Sequence, residues 1–311
     1  MIAFGPVPSR RLGRSLGINN IPPKHCTYSC LYCQVGRTLN LVADRRKFYT
    51  PEEIFEATKE KVEKSREFAE PVDYLTFVAD GEPTLDINLG REIELLKSLG
   101  IKIAVISNAS LIRQQAVQDD LSRADWVSLK VDAVHPNIWR KIDRPHNSLT
   151  LKAVQEGMLQ FRERFTGRLV TETMLLKDVN DEENHLSDIA DFLHRLNPDI
   201  AYIAVPTRPP AEKRVFPANE EVVNRAYQIF SRKVAKVEYL IGYEGNEFAF
   251  TGDIKADILS ITAVHPMSEE AMNQFLIHAG GKISIVEELM SQGKIKQPFY
   301  NDTKFYVRSF A

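Results

Sequence analysis

The sequence predicts an α/β protein built around a curled parallel sheet. Between residues 70 and 210, short runs of β-branched and aromatic residues alternate with longer segments of helical period. Repeated alternation of strand and helix indicates parallel strands joined by right-handed crossovers. The 311 residues suit one large domain with a small appendage. We therefore expect a full or partial (β/α)6 barrel of TIM type, followed by a small C-terminal winged-helix-like module.

Each element of the barrel follows from its local pattern. The strand candidates are rich in β-branched or aromatic residues: Ser15–Ile21, Val72–Ala79, Lys102–Ser107, Trp126–Val131, Leu169–Leu176 and Ile200–Val205. The helix candidates between them have apolar residues at helical spacing: Pro51–Glu67, Leu89–Leu99, Ile112–Ser122, Leu149–Arg164 and Asn184–Leu196. The first helix has Thr50 as its N-cap and Glu53 three residues later, which predicts a capping box.

A change of composition after Thr207–Pro210 marks the end of the barrel, because adjacent prolines cannot continue a regular element. We expect a barrel over residues 1–212, a connecting helix and hairpin over 213–264, and the winged-helix-like module over 265–311. The hairpin is expected over Glu238–Phe250, with its turn through Gly242–Gly245. The module is expected to contain two helices and a hairpin: Ser268–His278, Ile283–Gln292, Lys296–Tyr300 and Lys304–Phe310.

Composition and charge limit the class of protein. Apolar residues make up 43% and charged residues 26% of the chain, which excludes a disordered or fibrous protein. The sequence has neither an apolar run long enough to cross a bilayer nor a signal peptide, so we expect a cytoplasmic location and no membrane association. The formal net charge of −2 hides a basic start, since residues 1–50 contain eight Lys and Arg against the single acid Asp44. This segment is either a solvated face or an anion site.

The three cysteines of the chain, Cys26, Cys30 and Cys33, lie within eight positions. An odd number of thiols in so short a segment excludes a disulfide framework. Their C-x3-C-x2-C spacing suits an iron–sulfur cluster held by thiolates. Three ligands would leave one iron of a four-iron cluster open, as catalytic metal sites keep an open position. Two alternatives are inert thiols and a zinc ion with His25 as fourth ligand, although adjacent His25 and Cys26 can hardly reach one ion.

The segment C-T-Y-S-C-L-Y-C resembles the signature of the radical S-adenosylmethionine (SAM) superfamily, with Tyr32 at its aromatic position. Further motifs follow at successive predicted strand ends, where barrel proteins form their sites. Gly81-Glu82-Pro83 is similar to the G-E-P motif of the superfamily, and Ser107-Asn108 is similar to its T-N-G-type strand end. Lys130 and Asp132 stand where members have polar residues for the ribose or the carboxylate of SAM. The resemblance covers roughly residues 12 to 210.

The resemblance implies that Cys26, Cys30 and Cys33 hold a [4Fe–4S] cluster whose open iron binds SAM. An electron from a donor such as flavodoxin or ferredoxin would then break the sulfonium bond, and the 5′-deoxyadenosyl radical so formed would abstract hydrogen from a substrate. Glu82 suits the ammonium group of SAM and Lys130 its carboxylate. No catalytic residue is assigned. The expected cofactor-binding residues are Tyr32, Gly81, Glu82, Pro83, Ser107, Asn108, Lys130 and Asp132.

Two further stretches, Gly5–Asn20 and Ala263–Met267, are similar to a group of uncharacterised, wyosine-synthase-related radical enzymes. Wyosine synthases have additional N-terminal cysteines for a second cluster, and this chain has none before Cys26. The alternatives are a glycyl-radical-enzyme activase, a wyosine-type tRNA-modifying enzyme and a non-catalytic iron–sulfur regulator. The candidate substrates are therefore RNA and protein.

Several other polar residues are weaker candidates for the site. Arg11 and its neighbouring arginines precede the cysteines and could bind substrate, screen an anionic cluster or form a solvated arm. Glu172 and Met174 share one face of the fifth predicted strand, so this pair is a candidate to point into the barrel. Packing is the expected role of Met174. His135, His146 and His265 are expected to be structural or exposed.

Overall fold

The computed structural model describes residues 1–309, except residue 79, residues 242–244 and the side chain of residue 264. Its strands are β1 (Ala3–Ser9), β2 (Gly13–Ile18), β3 (His25–Cys26), β4 (Asn40–Leu41), β5 (Tyr74–Phe77), β6 (Lys102–Ser107), β7 (Trp126–Lys130), β8 (Arg168–Met174), β9 (Ile200–Ala204), β10 (Val237–Leu240), β11 (Met267–Ser268), β12 (Ile295–Lys296), β13 (Phe299–Tyr300) and β14 (Thr303–Arg308). Its α-helices are α1 (Pro51–Glu67), α2 (Leu89–Leu96), α3 (Gln115–Leu121), α4 (Pro136–Ile142), α5 (Leu151–Arg164), α6 (Glu183–Leu196), α7 (Glu220–Ser231), α8 (Ile254–Val264), α9 (Glu269–His278) and α10 (Ile283–Ser291).

The predicted barrel strands and helices are present, with ends that shift by a few residues. The last residue of the predicted Val72–Ala79 strand lies outside the described part of the chain. Helix α1 begins with the predicted capping box: Thr50 Oγ1 accepts a hydrogen bond from Glu53 N at 3.2 Å, and Glu53 Oε2 accepts one from Thr50 N at 2.7 Å. Local pattern therefore predicts these elements well.

Eight strands form the main sheet, in the order β1-β2-β5-β6-β7-β8-β9-β10. All neighbours from β2 to β10 pair in parallel, whereas β1 is antiparallel to β2. Within the described residues the sheet is open between β1 and β10, and it curls into a half-barrel. The predicted partial barrel is confirmed, but the sheet has two strands more than the six predicted.

The first additional strand, β1, contains Pro6 and Pro8. Proline cannot donate a ladder hydrogen bond and is confined to edge strands or bulges. Strand β1 satisfies both conditions, because it lies at the edge of the sheet and its register against β2 shifts between Phe4 and Val7. The sequence pattern hid this strand because its prolines argue against one.

The parallel strands lie beneath a layer of helices, as a parallel sheet requires. All five residues of β9 are buried. Helices α1, α5 and α7 cover the sheet with side chains that are fully buried in the main core, such as Ile54, Phe161 and Phe230. None of the described helices is long and apolar enough to cross a membrane. The helices cover the face of the sheet, and loops follow the C-terminal ends of its strands.

The last part of the chain forms a second, smaller fold. Helices α8, α9 and α10 precede or surround an antiparallel sheet in the order β11-β14-β12, and β13 forms a hairpin with β14. The prediction was two helices and a hairpin in a winged-helix-like arrangement. The structure has these elements, and α8 is a third helix. Its core includes Phe248, Ile258, Phe275 and Tyr306, together with Val7 from β1. The boundaries at residues 212 and 264 stay a prediction.

The hairpin predicted over Glu238–Phe250 is not formed by the described residues. Strand β10 instead joins the main sheet in parallel with β9, and Tyr239 stands opposite Ile203. Residues 242–244, which contain most of the predicted turn, lie outside the described part, and residues 245–250 form no strand. A short apolar run does not indicate which strand it pairs with or whether the pairing is parallel. The prediction from sequence therefore gave β10 the wrong partner.

A buried pair of carboxyl groups lies beside the barrel. Burial and the neighbouring Asp86 carboxylate raise the pKa of Glu92 to about 9, and burial also raises the pKa of Asp86. Asn20 Nδ2 donates a hydrogen bond to Glu92 Oε2 at 3.2 Å. Among the described residues, Glu92 Oε1 and Asp86 Oδ2 have no hydrogen-bond partner. A proton held between the two carboxyls satisfies both oxygens, so Glu92 is protonated in the folded protein at neutral pH.

We expect Glu92→Gln to remove a pH dependence of stability. An unfolded glutamate ionises at about pH 4.3, whereas folded Glu92 keeps its proton up to about pH 9. Between these values only the folded state binds the proton, so each rise of one pH unit lowers the free energy of unfolding by about 1.4 kcal/mol. Urea unfolding between about pH 6.5 and about pH 8.5 should show this fall in the wild type and a flatter profile in the variant. The control is Glu56→Gln, at an exposed position of α1, which should keep the wild-type profile. Parallel pH profiles of stability for the wild type and Glu92→Gln would contradict the prediction.

Candidate active site

One cavity opens at the C-terminal ends of the parallel strands, the edge where barrel proteins form their sites. Its volume is about 320 Å³. All three cysteines line it from the segment that follows β2. Polar residues at or near the ends of β5, β6, β7 and β8 line it from below, namely Glu82, Ser107, Asn108, Lys130 and Glu172. The fold therefore brings the cysteine motif and the strand-end motifs into one space.

Main-chain hydrogen bonds fix the cysteine segment to the barrel. Cys26 lies in β3, and the carbonyl of its neighbour His25 accepts a hydrogen bond from Glu82 N at 3.2 Å. Further along the segment, Leu31 N donates to Ile142 O at 2.9 Å. These contacts hold the thiols over the strand ends by backbone geometry rather than by side-chain packing alone.

Gly81 allows the cysteine segment to lie this close to the end of β5. A Cβ atom at position 81 would lie 1.7 Å from His25 O, which is far inside any real contact distance. A glycine is used where another backbone approaches closely. The glycine of the G-E-P motif is thus a steric requirement of the cysteine segment.

The three cysteine residues are half-buried, and they line the cavity. Burial raises the pKa of Cys26 to about 12, and burial also raises the pKa values of Cys30 and Cys33. Only a thiolate binds a metal, and a bound metal ion deprotonates its coordinating thiol outright. Three soft donors that line one cavity suit an iron–sulfur cluster by their chemistry.

Glu82 is buried, and donors of the protein hold its carboxylate. Its Oε1 atom accepts hydrogen bonds from Ser107 Oγ at 2.8 Å, Thr84 Oγ1 at 2.7 Å and Thr84 N at 3.1 Å. Its Oε2 atom accepts one from Asn108 N at 2.7 Å. Burial raises the pKa of Glu82, and these hydrogen bonds oppose that rise because they favour the ionised form. Glu82 therefore joins the ends of β5 and β6 in addition to lining the cavity.

Asn108 connects the end of β6 to the cysteine segment. Its side-chain amide donates to Thr27 Oγ1 at 2.8 Å and lies 3.6 Å from Cys26 Sγ. Hydrogen bonds to ligand sulfurs are one of the means by which a protein tunes the potential of a cluster. The predicted strand-end residue Asn108 thus contacts a predicted cluster ligand directly.

Lys130 belongs to a buried ionic network. Glu172 accepts hydrogen bonds from Lys130 Nζ and from Arg11 Nη1, which approaches from the turn between β1 and β2. Lys130 Nζ also lies 5.0 Å from the centre of the Tyr32 ring, a cation–π contact. Burial lowers the pKa of Lys130, but attraction to Glu172 and Asp132 outweighs this effect and raises it. Glu172 and Met174 both line the cavity, in agreement with the face expected from their spacing.

Asp132 and Pro83 are not among the residues that line the cavity, and their contact with the cofactor stays a prediction. Asp132 accepts hydrogen bonds from Tyr32 OH and from Met174 N, the latter at 2.7 Å. Pro83 begins a short 3-10 helix, Pro83–Leu85, directly after Glu82. Strand β7 ends at Lys130, so its alternation no longer places residue 132 on the same face. Asp132 orients Tyr32, while Gly81, Glu82, Ser107, Asn108, Lys130 and Tyr32 line the cavity, and their cofactor-binding roles stay predictions.

The opposite wall comes from segments that local patterns did not assign to the site. Arg208, four residues after β9, donates to Gln34 Oε1 at 2.8 Å and contacts His265 Nε2. His265 stands at the end of α8, and sequence alone indicated only a structural or exposed role for it. The sequence shows polar residues, Thr207 and Arg208, after the last predicted barrel strand. No local pattern indicates that Arg208 contacts His265, which is far away in the sequence.

The arrangement of this site agrees with a match over the greater part of the chain. The profile described as the Radical SAM superfamily matches residues 20–192, which include the three cysteines and the strand ends up to Glu172. The chain is a radical SAM protein. Over 310 residues it is 47% identical to the UPF0026 protein MJ1312 of Methanocaldococcus jannaschii, and the match covers 99% of this chain and 96% of that protein.

Solved structures share the fold of this radical SAM protein. A radical SAM methyltransferase from Sphaerobacter thermophilus matches it with a TM-score of 0.54 at 15% identity, over 73% of this chain and 67% of that one. Archaeal TYW1 matches with a TM-score of 0.50 at 14% identity, over 71% and 72% of the two chains. At such identities the likeness concerns the fold alone.

Membership of the superfamily gives this radical SAM protein its cofactors, a [4Fe–4S] cluster and SAM. Cys26, Cys30 and Cys33 would hold the cluster, and they are the three cysteines of the sequence. The charges on Glu82 and Lys130 suit the ammonium and carboxylate groups of SAM. The donor set and the cavity beside it therefore fit both groups.

Proposed function

We propose that this radical SAM protein is an enzyme that cleaves SAM reductively and uses the 5′-deoxyadenosyl radical to abstract hydrogen from a substrate. The observation that supports the proposal most strongly is the single cavity shared by the three thiols and the strand-end residues. When bound, the cluster supplies the electron that breaks the sulfonium bond, a chemistry that belongs to the cofactor. An RNA or protein substrate stays a prediction from the sequence.

The residues of the chain bind and orient the reactants and exclude water. Glu82 Oε2, which accepts one hydrogen bond from the protein, suits the ammonium group. The charge of Lys130 suits the carboxylate. Apolar side chains such as Met174 and Leu240 line the remaining wall and keep water from the reacting groups.

The first experiment measures iron and 5′-deoxyadenosine. Protein reconstituted with iron and sulfide without oxygen should bind about four irons per chain. With SAM and dithionite it should release 5′-deoxyadenosine. We expect Cys33→Ala to bind less iron and to release the nucleoside at background level, because one of three ligands is lost.

The matched control is Ser98→Ala, at an exposed position after α2, which should behave as the wild type. A wild-type protein that contains four irons and yet leaves SAM intact would refute the proposed reaction. An iron-binding protein of that kind would favour the regulator considered from the sequence.

A further inference from the structure

We infer that a positively charged surface beside the cavity docks a single-stranded nucleic acid as the substrate, an inference that rests on the proposed function. The surface consists of one exposed aromatic residue, Phe216, and six exposed cations, and we call it the basic surface: Arg37, Lys141, Arg144, Lys177, Lys213 and Arg214. Because the whole chain has a formal net charge of −2, this concentration of positive charge is a local feature.

The first step of the argument is that Glu212 joins two of the cations. Its carboxylate pairs with Arg37 at 3.1 Å and with Arg144 at 2.7 Å. Its main-chain N–H donates to Leu31 O at 3.2 Å, and Leu31 follows Cys30 directly. This part of the basic surface is therefore held against the cysteine segment.

The second step is a chain of contacts that joins the other cations to these two. Phe216 O accepts a hydrogen bond from Lys177 N at 3.0 Å. The carbonyl of the next residue, Asp178, accepts one from Lys141 Nζ at 2.8 Å, and Lys141 lies three residues before Arg144. The two remaining cations lie between the bridging glutamate and Phe216 in the sequence. The contacts therefore close a ring, and the residues form one surface.

The third step is the position of this ring next to the cavity. Gly36 and Thr38, the neighbours of Arg37, line the cavity. Arg208 also lines it, and the chain continues from there over four residues to Glu212. A strand docked on the basic surface therefore lies at the edge of the space that the cysteines and the strand-end residues share.

Acidic residues only partly balance the cations of the ring. Glu212 serves two guanidinium groups, and Asp178 is exposed beside Lys177. Asp143 is buried, and its Oδ1 atom lies 3.5 Å from Cys30 Sγ, so its carboxyl group faces the cysteine segment. Across the segments that form the basic surface, six cations stand against two surface acids in the described part of the chain.

Cations around an exposed aromatic ring suit a nucleic-acid strand. Phe216 is 57% exposed, with Arg214 two residues before it and Lys177 bonded to its carbonyl. Guanidinium groups bind phosphate oxygens with two parallel hydrogen bonds, and exposed aromatic side chains stack on unpaired bases. A strand has a phosphate beside every base and so meets both features at once. An acidic protein is attracted by the charge alone.

A single strand also suits chemistry inside a cavity. Enzymes that modify a nucleobase must take it out of its stack, and this step costs least when the base is already unpaired. The basic surface would hold the phosphates outside while one nucleotide enters the cavity. RNA and DNA share this chemistry, so the experiment tests both strands.

The experiment measures binding of a short labelled RNA, and of DNA with the same sequence, by fluorescence anisotropy. Lys213→Glu with Arg214→Glu changes the basic surface. Lys102→Glu with Arg168→Glu is the matched control, because these exposed cations begin β6 and β8 at the opposite end of the barrel. We expect the reconstituted surface variant to bind the preferred strand at least about tenfold more weakly at low salt, and the control to bind as the wild type.

The salt dependence separates phosphate contacts from stacking. Each phosphate contact of a single strand contributes about 0.7 to the slope of log affinity against log salt, so loss of two contacts should reduce the slope by about 1.4. Phe216→Ala should bind about tenfold more weakly with the slope unchanged, because it removes a stacked base and no charge. The matched control is Phe299→Ala, since Phe299 is 67% exposed on β13 in the C-terminal fold.

Equal binding by the surface variant and its charge control would overturn the inference. So would weaker binding in Phe299→Ala with Phe216→Ala unchanged, which would move the site to the C-terminal fold. Poly-glutamate that displaces the strand at an equal concentration of charge would also overturn it, because the surface would then recognise acidic protein as well as nucleic acid.

The proposed function has a separate test. It fails when the wild type, dithionite and SAM give no 5′-deoxyadenosine, and this assay contains no nucleic acid. The surface variant should release the nucleoside in that assay as the wild type does. Normal SAM cleavage together with strand binding that ignores the basic surface would reject this inference alone.

Discussion

Glu172→Gln is expected to lower the free energy of unfolding by about 3–5 kcal/mol. Glu172 lies between Arg11 and Lys130, and the side chains of these three residues are only 9%, 13% and 18% exposed, respectively. Removal of the shared carboxylate leaves two buried cations without this counter-charge and close to each other. The loss of a partner from a buried ion pair has a large effect because the remaining charge stays desolvated. Urea unfolding of the variant and the wild type measures the difference.

A second substitution separates this electrostatic cause from a general loss of packing. Lys130→Met leaves the Glu172 carboxylate paired with Arg11. This variant alone should therefore change the free energy of unfolding only slightly. In the double variant Glu172→Gln with Lys130→Met, one of the two cations that lose the Glu172 carboxylate is gone, and we expect much of the lost stability to return. A Glu172→Gln protein within about 1 kcal/mol of the wild type would show that the network contributes little.

Gly81→Ala is expected to displace the cysteine segment and to reduce iron binding. The new Cβ atom would lie 1.7 Å from His25 O, and this oxygen belongs to the backbone beside Cys26. The clash cannot be relieved by a side-chain rotation, so β3 must move away from the end of β5. We expect the free energy of unfolding to fall by about 3 kcal/mol or more and the reconstituted variant to bind well below four irons.

The control for this substitution is Gly100→Ala. Gly100 has a φ of +72°, and a Cβ atom added there would have nothing within 4 Å, so alanine meets only backbone strain. Such strain costs about 1 kcal/mol and lies far from the cysteines in sequence. Iron content should therefore fall in Gly81→Ala and stay normal in Gly100→Ala. Equal iron content in the two variants would contradict the steric explanation.

Sequence pattern predicts the part of the fold that local interactions determine. The apolar runs of β6 to β9 and the capping box of α1 are visible within short windows, and the structure confirms them. Strands β1 and β10 are different, because prolines mask the first and only long-range pairing reveals the direction of the second. Local sequence gives no information about which distant strand offers a free edge.

The same distinction between local and long-range information holds for the candidate site. Cysteine spacing and strand-end position predict which residues meet, since parallel strands bring their ends to one edge. They do not predict what each side chain contacts there. Glu82 proves to be held by Ser107 and Asn108, and Asp132 turns toward Tyr32 instead of the cavity. These contacts depend on where each strand stops, which differs by one or two residues from its apolar run.

The cavity wall includes residues from both ends of the chain, since Phe4 of β1 and His265, directly after α8, line it together. Val7 of β1 also packs in the core of the C-terminal fold. During synthesis on the ribosome, the three cysteines emerge early, but the chamber around them is complete only after residue 265 has joined.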